Sequence, residues 1–331
     1  MPDTQEHAFA QYIRALGKGK QGSRSLSFDE ASAAMQMILA GDVEPVQLGA
    51  FLMLLRVKEE SAAEIAGFVH ACRQAIAPPL PTMPAVAFDW SSYAGKRRQP
   101  HWFLLAALLL AQNGHAVFMH GARGHTAGRV YTEDMCRALQ LPVASSWSDV
   151  ATQLNQHNFS FMPIAQLCQP LHELIQLRPL FGLRSPVHTL CRLLNPLAAH
   201  CTLQSVFHPA YADTHHGAAQ QLGESNAAVF KGDAGEVEYR PQARVKLHIL
   251  RNGESIQHTT NRLGEAPQPL TPNAKHLLDV WRGHSENTYA EQAITGTAAI
   301  ALYTSAHAES MDAAMQAAQT MWRQREELLG S

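Results

Sequence analysis

A helical N-terminal region is indicated by Ser27-Phe-Asp-Glu-Ala-Ser-Ala-Ala-Met-Gln-Met-Ile-Leu39. Ser27 and Glu30 have the spacing of a capping box, in which the two side chains satisfy free backbone N–H groups in the first turn of a helix. Behind them the apolar residues recur at helical spacing. The stretch therefore predicts an amphipathic helix with a defined start.

Two more helix starts follow along the chain. Pro45 suits the first turn of a helix, and Ser61 with Glu64 forms a second capping box. An additional helix is expected before them, near the N-terminus. We predict a small helical domain over residues 1–77, with helices from about 163–195 as candidates to join it.

The pattern changes after a proline-rich linker. Four prolines between residues 78 and 84 interrupt helix formation, and short apolar runs then alternate with longer helical stretches. This alternation is typical of an α/β architecture. We predict an α/β domain with a central mixed sheet over residues 78–331, which agrees with the two domains expected for 331 residues.

Composition and charge exclude several classes of protein. Hydrophobic residues make up 46% and charged residues 16%, so the chain is not predominantly disordered. The formal charge of −2 gives no global reason to expect a polyanion partner. The five cysteines are widely spaced, and no histidines have the spacing of a metal site, so we predict reduced thiols and no metal.

The location of the protein is inferred from its start and its apolar runs. The first residues are polar and acidic, unlike a secretory signal. The longest apolar run, Phe103 to Ala111, has nine residues, whereas crossing a bilayer takes about 20. We therefore expect a cytoplasmic protein without a membrane partner.

Two glycine-containing loops follow predicted strands and carry an excess of positive charge. The stretch between Trp90 and Thr132 contains no carboxylate. Its basic residues are Lys96, Arg97, Arg98, Arg123 and Arg129. Loops between a strand and a helix present free N–H groups that suit anions. The two loops therefore predict a phosphate-binding edge of the sheet, against the alternative of a solvated basic surface.

Several segments resemble the anthranilate phosphoribosyltransferase family, a glycosyltransferase family 3 fold. The similar segments cover nearly the whole chain: residues 26–30, 41–58, 63–67, 117–123, 159–163, 193–197 and 298–303. The resemblance implies a helical domain, an α/β domain and a homodimer that associates through the helical domains. The helix after Pro45 carries more apolar surface than this helical layer can bury alone, so we expect it to face the second copy through Leu48, Phe51, Leu52 and Leu55. The resemblance also implies a reaction in which phosphoribosyl pyrophosphate loses pyrophosphate with the help of magnesium.

The sequence departs from this family at the site of that reaction. The family's Gly-Thr-Gly-Gly-Asp loop corresponds to Ser92-Tyr-Ala-Gly-Lys96, in which only Gly95 remains. The family's His-Gly-Asn-Arg corresponds to His120-Gly121-Ala122-Arg123, which lacks the substrate-binding asparagine. Both changes predict a degenerate substrate site.

The family's acidic and acceptor-binding residues are altered as well. Its magnesium-binding Asp-Glu pair corresponds to Val237-Glu238, and the family's histidine after Phe-x-Phe-x-Pro corresponds to Gln166. An apolar side chain cannot bind a hard cation. The family's acceptor-site arginine has three competing matches, which are Arg178, Arg184 and His188.

The altered pattern resembles the nucleic-acid-binding paralogues of this family, which are homodimers that bind DNA or RNA with little sequence preference. His125 joins the two loops as a candidate phosphate contact. Carboxylate-free stretches elsewhere add further candidate contacts: Lys18, Lys20 and Arg24, and then Arg240, Arg244, Lys246 and Arg251. Tyr93 and Trp102 flank the first loop and could stack on bases, although such aromatics more often belong to a core.

Two hypotheses remain from the sequence. The first is a DNA- or RNA-binding homodimer without a cofactor and without anthranilate transferase activity. The second is a phosphoribosyltransferase that uses another acceptor and would need Mg²⁺. The remodelled loop distinguishes them, because a transferase has to position pyrophosphate and a metal whereas a polyanion binder needs only positive charge and room.

Overall fold

The computed structural model describes residues 6–19 and 21–327. The chain begins with four helices, α1 Ala10–Gly17, α2 Phe28–Ala40, α3 Pro45–Lys58 and α4 Ala62–Ala75. Both predicted capping boxes are formed, at the starts of α2 and α4. Local capping therefore fixes where these helices begin.

A seven-stranded sheet forms the centre of the α/β domain. Its strands are β1 Phe88–Ser92, β2 Val117–Gly121, β3 Phe159–Pro163, β4 Cys201–Ser205, β5 Ala227–Phe230, β6 Lys246–Arg251 and β7 Glu254–Thr259. The strand order is β3-β2-β1-β4-β5-β6-β7. Strands β1 to β5 pair in parallel, whereas β6 pairs antiparallel with both β5 and β7, which confirms the predicted mixed sheet.

Helices cover the sheet on both sides. Apart from the segment between β3 and β4, they are α5 Trp102–Gln112, α6 Thr132–Ala138, α7 Trp147–His157, α12 Ala212–Gln221, α13 Ala274–Trp281, α14 Thr288–Thr304 and α15 Met311–Arg323. The apolar run predicted as a buried helix is α5, which is buried on all sides except at its C-terminal residue. None of the helices among residues 6–19 and 21–327 combines the length and apolar character that a bilayer span requires.

Four short helices lie between β3 and β4: α8 Ile164–Leu167, α9 Gln169–Gln176, α10 Arg178–Phe181 and α11 Val187–Leu190. Their apolar side chains share one buried cluster with those of α1 to α4, as Leu171 and Val187 do with Phe51 and Phe68. This part of the chain therefore packs against the helical domain and lies between it and the sheet.

The apolar face of α3 is used within the chain. Phe51, Leu52 and Leu55, which the sequence suggested as surface for a second copy, are at most 1% exposed. That expectation is corrected, because α1 and α4 cover these side chains. The apolar residues that remain outside are Val46 and Val57, which are 79% and 85% exposed.

Candidate functional site

The loop after β1 is a nest of backbone N–H groups that a carboxylate already fills. The N–H groups of Ala94 and Gly95 donate to Oε1 of Glu236 at 2.7 and 2.5 Å, and the Ser92 hydroxyl donates to Oε2 at 2.9 Å. Glu236 is fully buried. The anion position of this loop is therefore occupied by a side chain of the protein itself.

Gly95 is the residue that the loop conformation requires. Its φ of +69° lies in the left-handed region, and a Cβ there would come within 3.0 Å of both the Tyr131 ring and the Val130 carbonyl oxygen. Gly121 has a steric reason of its own, since a Cβ would lie 2.3 Å from the Ser92 carbonyl oxygen. Both family glycines thus keep a structural role.

Lys96 is buried between two carboxylates. Its ammonium forms ion pairs with Asp233 and, at 2.6 Å, with Glu238, and the side chain has no exposed surface. Burial opposes the charge of Lys96, but the attraction of Glu238 and Asp233 prevails, so its pKa lies above the ordinary value. The prediction of Lys96 as a phosphate contact was therefore wrong.

The magnesium that the resemblance implies for a transferase does not fit these residues. One carboxylate oxygen of Glu238 accepts from Lys96, and the other accepts from the backbone N–H of Phe103 at 3.0 Å. Asp233 also pairs with Lys96, and Val237 has no oxygen to offer. The ammonium of Lys96 thus occupies the position of a metal ion. Within the described ranges no group of three or more side chains that could hold a metal ion is found.

Arg97 and Arg98 are the two loop residues that face solvent. Both are exposed, and among the described residues neither forms a salt bridge or a side-chain hydrogen bond. Arg123 is also exposed, but it lies 3.4 Å from Asp134 and 3.7 Å from Glu133. The free positive charge of the first loop is therefore concentrated on Arg97 and Arg98.

Arg129 and His125 support the loop from within. Nη1 of Arg129 donates to the carbonyl oxygens of Ala94 and Gly95 at 3.0 and 2.8 Å. His125 is 2% exposed and donates from Nε2 to the Tyr93 carbonyl oxygen. Burial, assisted by Arg184, lowers the pKa of His125 to about 4, so it is neutral at pH 7. His125 therefore presents no charge to solvent, contrary to our expectation, and Arg129 is half-buried with Nη1 held by the loop carbonyl groups.

The aromatic residues beside the loop are not available for stacking. Tyr93 and Trp102 are both fully buried, so the stacking hypothesis was wrong. The Tyr93 hydroxyl lies 2.6 Å from Nδ1 of His120, whose Nε2 lies 3.3 Å from Asp89. His120 thus belongs to a buried polar chain, Ala122 is buried beside it, and Gln166 lies exposed in α8.

The N-terminal basic stretch is partly neutralised. Arg24 makes two hydrogen bonds of 2.6 Å to Glu30, and this contact lowers the pKa of Glu30 to about 2. Lys18 is exposed, and Lys20 lies outside the described residues. Arg24 is therefore a paired surface residue, and Lys18 is the member of this stretch that adds free charge.

A second concentration of arginines lies on the segment that joins β3 to β4. The resemblance offered Arg178 and Arg184 as matches to the acceptor-site arginine, but Arg192 was not predicted. Arg178 donates to the His125 carbonyl oxygen, Arg184 reaches Thr126, and Arg192 donates to the carbonyl oxygens of Ser205 and Gly235. None of the three forms a salt bridge among the described residues. A basic residue inside the apolar run 190–194 was the signal that could have identified Arg192.

Two family domains match the chain. The helical bundle domain of a glycosyl transferase family matches residues 10–76, and the a/b domain of that family matches residues 103–324. The anthranilate phosphoribosyltransferase of Moorella thermoacetica is 32% identical over 235 residues, which cover 71% of this chain and 69% of that protein. The uncharacterized protein YbiB of Escherichia coli is 30% identical over 273 residues, which cover 81% and 83%.

Solved structures agree with this fold. The anthranilate phosphoribosyltransferase of Thermus thermophilus aligns with a TM-score of 0.79 at 22% identity, over 96% of this chain and 94% of that one. The enzyme of Saccharomyces cerevisiae in complex with PRPP and Mg aligns with a TM-score of 0.77 at 16% identity, over 97% and 94%. With both of its domains matched in sequence and in architecture, the chain belongs to glycosyl transferase family 3, as a homologue of the anthranilate phosphoribosyltransferases.

Proposed function

We propose that this protein binds DNA or RNA with little sequence preference, acts in the cytoplasm as a homodimer, and does not transfer phosphoribosyl groups to anthranilate. Arg97 and Arg98 would contact backbone phosphates, and Arg123 and Lys18 would extend the contact surface. Contacts to phosphates position a nucleic acid without reading its bases. Such binding needs exposed positive charge, which Arg97 and Arg98 supply.

The observation that carries the proposal is the internal neutralisation of the loop after β1. Glu236 accepts the hydrogen bonds of the N–H groups that would otherwise bind a phosphate. Lys96 lies between two carboxylates, in the position that a metal cation would occupy. Both pairs are buried, so displacing either would leave an unpaired charge at a cost of several kcal/mol. A pyrophosphate and its metal would have to displace both.

The alternative is a phosphoribosyltransferase with another acceptor. It is favoured by the relatives themselves, since the Moorella thermoacetica protein of 32% identity is named an anthranilate phosphoribosyltransferase. Under this alternative, phosphoribosyl pyrophosphate would have to expel Glu236 from the Ala94 and Gly95 amides. Calorimetric titration of the Arg184→Gln variant with phosphoribosyl pyrophosphate, with and without Mg²⁺, separates the two functions, because only the transferase should give saturable binding that depends on Mg²⁺.

The experiment that tests the proposal is a fluorescence anisotropy titration with unrelated short oligonucleotides at several salt concentrations. The Arg97→Ala/Arg98→Ala variant should weaken binding of all sequences by similar factors. It should also flatten the slope of log affinity against log salt by about 1.4, because each of the two lost contacts to a single strand is worth roughly 0.7.

A matched control removes the same charge elsewhere. The Arg282→Ala/Arg323→Ala variant alters two exposed arginines near the far end of α5, where Gln112 bonds to the backbone of Glu327. This variant should keep the affinity and the salt slope. If the loop variant behaves like the control, or if the parent protein does not bind oligonucleotides at low salt, the proposal fails.

A further inference from the structure

A cleft between the helical domain and the α/β domain is lined mostly by cationic and polar side chains. It has a volume of about 170 Å³ and opens between the C-terminal end of α3, the segment before α11 and the chain that follows β4. Its polar lining includes Arg56, Arg184, Ser185, His188 and Arg192. None of residues 92–96 contributes, so the cleft is separate from the loop after β1.

Two side chains in this cleft have buried polar atoms without a partner. The hydroxyl of Ser185 and Nε2 of His188 make no hydrogen bond within the described part of the protein, although these residues are only 5% and 6% exposed. Leaving a buried polar atom unpaired costs free energy. Most such atoms in folded proteins find a partner, and those that do not call for an explanation such as a ligand.

Three arginines line the cleft, Arg56, Arg184 and Arg192, and among the described residues none of them forms an ion pair. Nη1 of Arg192 donates to the carbonyl oxygens of Ser205 and Gly235, both at 2.9 Å, and Nη2 of Arg184 lies 3.4 Å from the Thr126 hydroxyl. Among the described residues Glu60 is the carboxylate that lines the cleft, beside Arg56. Glu59 and Glu236 do not line it: Glu59 accepts a hydrogen bond from the Tyr211 hydroxyl at 3.0 Å, and Glu236 is engaged with the β1 loop. The positive charges thus outnumber the negative ones.

The pKa of Arg184 reflects this excess of positive charge in the cleft. Burial, together with the repulsion of Arg192, Arg129 and Arg178, lowers the pKa of Arg184 to about 10. Arg184 still carries its charge at pH 7, and an anion in the cleft would relieve the repulsion.

The chemistry of the donors narrows the type of anion. Arg184 and Arg192 offer guanidinium N–H groups and Ser185 offers a hydroxyl, so several donors converge on one place. Nδ1 of His188 lies 3.3 Å from the Ser185 carbonyl oxygen, to which it donates, and this leaves Nε2 as an acceptor. A phosphate monoester supplies acceptor oxygens for the donors and, when singly protonated, a hydroxyl for Nε2.

From this arrangement we propose that the cleft binds the phosphate group of a phosphomonoester through Arg184, Ser185, His188 and Arg192. The inference goes beyond nucleic-acid binding at Arg97 and Arg98 and does not depend on it. The phosphomonoester could be the 5′ end of a nucleic acid or a free nucleotide, and the cleft has room for the phosphate and a small attached group but not for a duplex.

Isothermal titration with inorganic phosphate and with adenosine 5′-monophosphate, at constant ionic strength, tests the site. Adenosine serves as the uncharged control and should not bind. Ser185→Ala should weaken binding of both anions about tenfold, while the melting temperature without ligand stays the same or rises, because the variant removes an unpaired buried hydroxyl. Arg184→Gln should weaken binding more, and Arg282→Ala, at an exposed arginine that does not line the cleft, should leave it unchanged.

The source of the phosphate is found by comparing one oligonucleotide with and without a 5′-phosphate. Tighter binding of the phosphorylated strand, lost in Arg184→Gln, assigns the site to nucleic-acid ends. Binding of adenosine 5′-monophosphate without preference between the strands assigns it to a free nucleotide. The proposal is overturned if neither anion binds at about 10 mM, a concentration that would still reveal millimolar affinity, or if Ser185→Ala and Arg184→Gln bind as the parent does. Neither result affects the test of Arg97 and Arg98.

Discussion

A single lysine determines the electrostatics of the loop after β1. Lys96 is the only partner that neutralises Glu238 by an ion pair among the described residues, and both side chains are fully buried. Its ammonium also pairs with Asp233, which is partly exposed and can be solvated. Removing one partner of a buried pair is far more costly than removing both, because the remaining charge keeps its desolvation penalty.

We therefore predict that Lys96→Met lowers the free energy of unfolding by about 3–5 kcal/mol. Urea denaturation at pH 7 measures this loss. Arg97→Ala, one residue along on the surface, should change stability by no more than about 0.5 kcal/mol. The double variant Lys96→Met/Glu238→Gln should recover part of the loss, and a loss that stays the same in the double variant would show that the pairing is not the cause.

Buried histidines make stability depend on pH. Burial, with a contribution from Lys96, lowers the pKa of His101 to about 3, whereas an unfolded histidine titrates near 6.5. Between these values the unfolded chain holds the extra proton, so stability is complete above pH 6.5 and falls as the pH is lowered. His101→Gln should reduce the slope of stability against pH by up to about 1.4 kcal/mol per unit between about pH 6 and 4, which urea unfolding at several pH values measures. An unchanged slope would mean that His101 is charged or solvated in the folded protein.

At the scale of helices and strands, the sequence predicts the elements whose signals are local. Two capping boxes place the starts of α2 and α4, and an unbroken apolar run identifies α5. Strand β7 was missed, because most of its residues are polar and exposed and it lies at the sheet edge, beside β6 only. Local patterns do not show such a strand, since its pairing depends on a neighbour.

The candidate site was predicted less well, for a different physical reason. The sequence located the two loops correctly, but it could not show that Asp233 and Glu238 fold back onto Lys96 across 137 and 142 residues. The positive charge of a stretch without carboxylates is uncompensated only if no acidic side chain that is distant in sequence packs against it in the fold. The side chains of Arg97 and Arg98 stay unpaired because no carboxylate from elsewhere in the described chain forms a salt bridge with them.

Two helical glycines should respond oppositely to alanine. A Cβ on Gly296 in α14 would lie 2.3 Å from the Tyr239 ring, whereas a Cβ on Gly49 in α3 would lie 3.9 Å from the Phe181 ring. We predict that Gly49→Ala raises the free energy of unfolding by up to about 1 kcal/mol through helix propensity. Gly296→Ala should lower it by about 1–3 kcal/mol, because the overlap outweighs the propensity. Thermal and urea unfolding compare the two, and equal signs would contradict this account.

At the scale of the whole molecule, the remaining apolar surface suggests how two copies meet. Val46 and Val57 are eleven residues apart on α3, which is close to three full turns, so they lie on one face of the helix. Phe181 of α10 approaches α3 at Gly49, and its neighbour Leu180 is 81% exposed. These exposed residues, and not the buried Phe51 and Leu55, are the surface on which we base a two-fold dimer.

We expect sedimentation velocity to give a dimer at micromolar concentration. Val46→Asp/Val57→Asp should shift it to a monomer, because two charges would be buried where the copies meet. Leu263→Asp, at an exposed leucine of the α/β domain, is the control and should remain dimeric. A parent protein that sediments as a monomer would rule out the dimer, and a dimer that survives both valine changes would rule out this face.

The dimer and the basic loop together predict how affinity depends on oligonucleotide length. Each copy carries one Arg97 and Arg98 pair, so a strand long enough to reach both pairs gains a second contact at high effective concentration. A long single strand should therefore bind the parent protein more than tenfold tighter than a strand that reaches one pair. Val46→Asp/Val57→Asp should abolish this advantage and keep the affinity for the short strand, because each monomer retains its own pair. Anisotropy titrations with strands of increasing length measure both effects, and an equal length dependence in the two proteins would show that all phosphate contacts lie on a single copy.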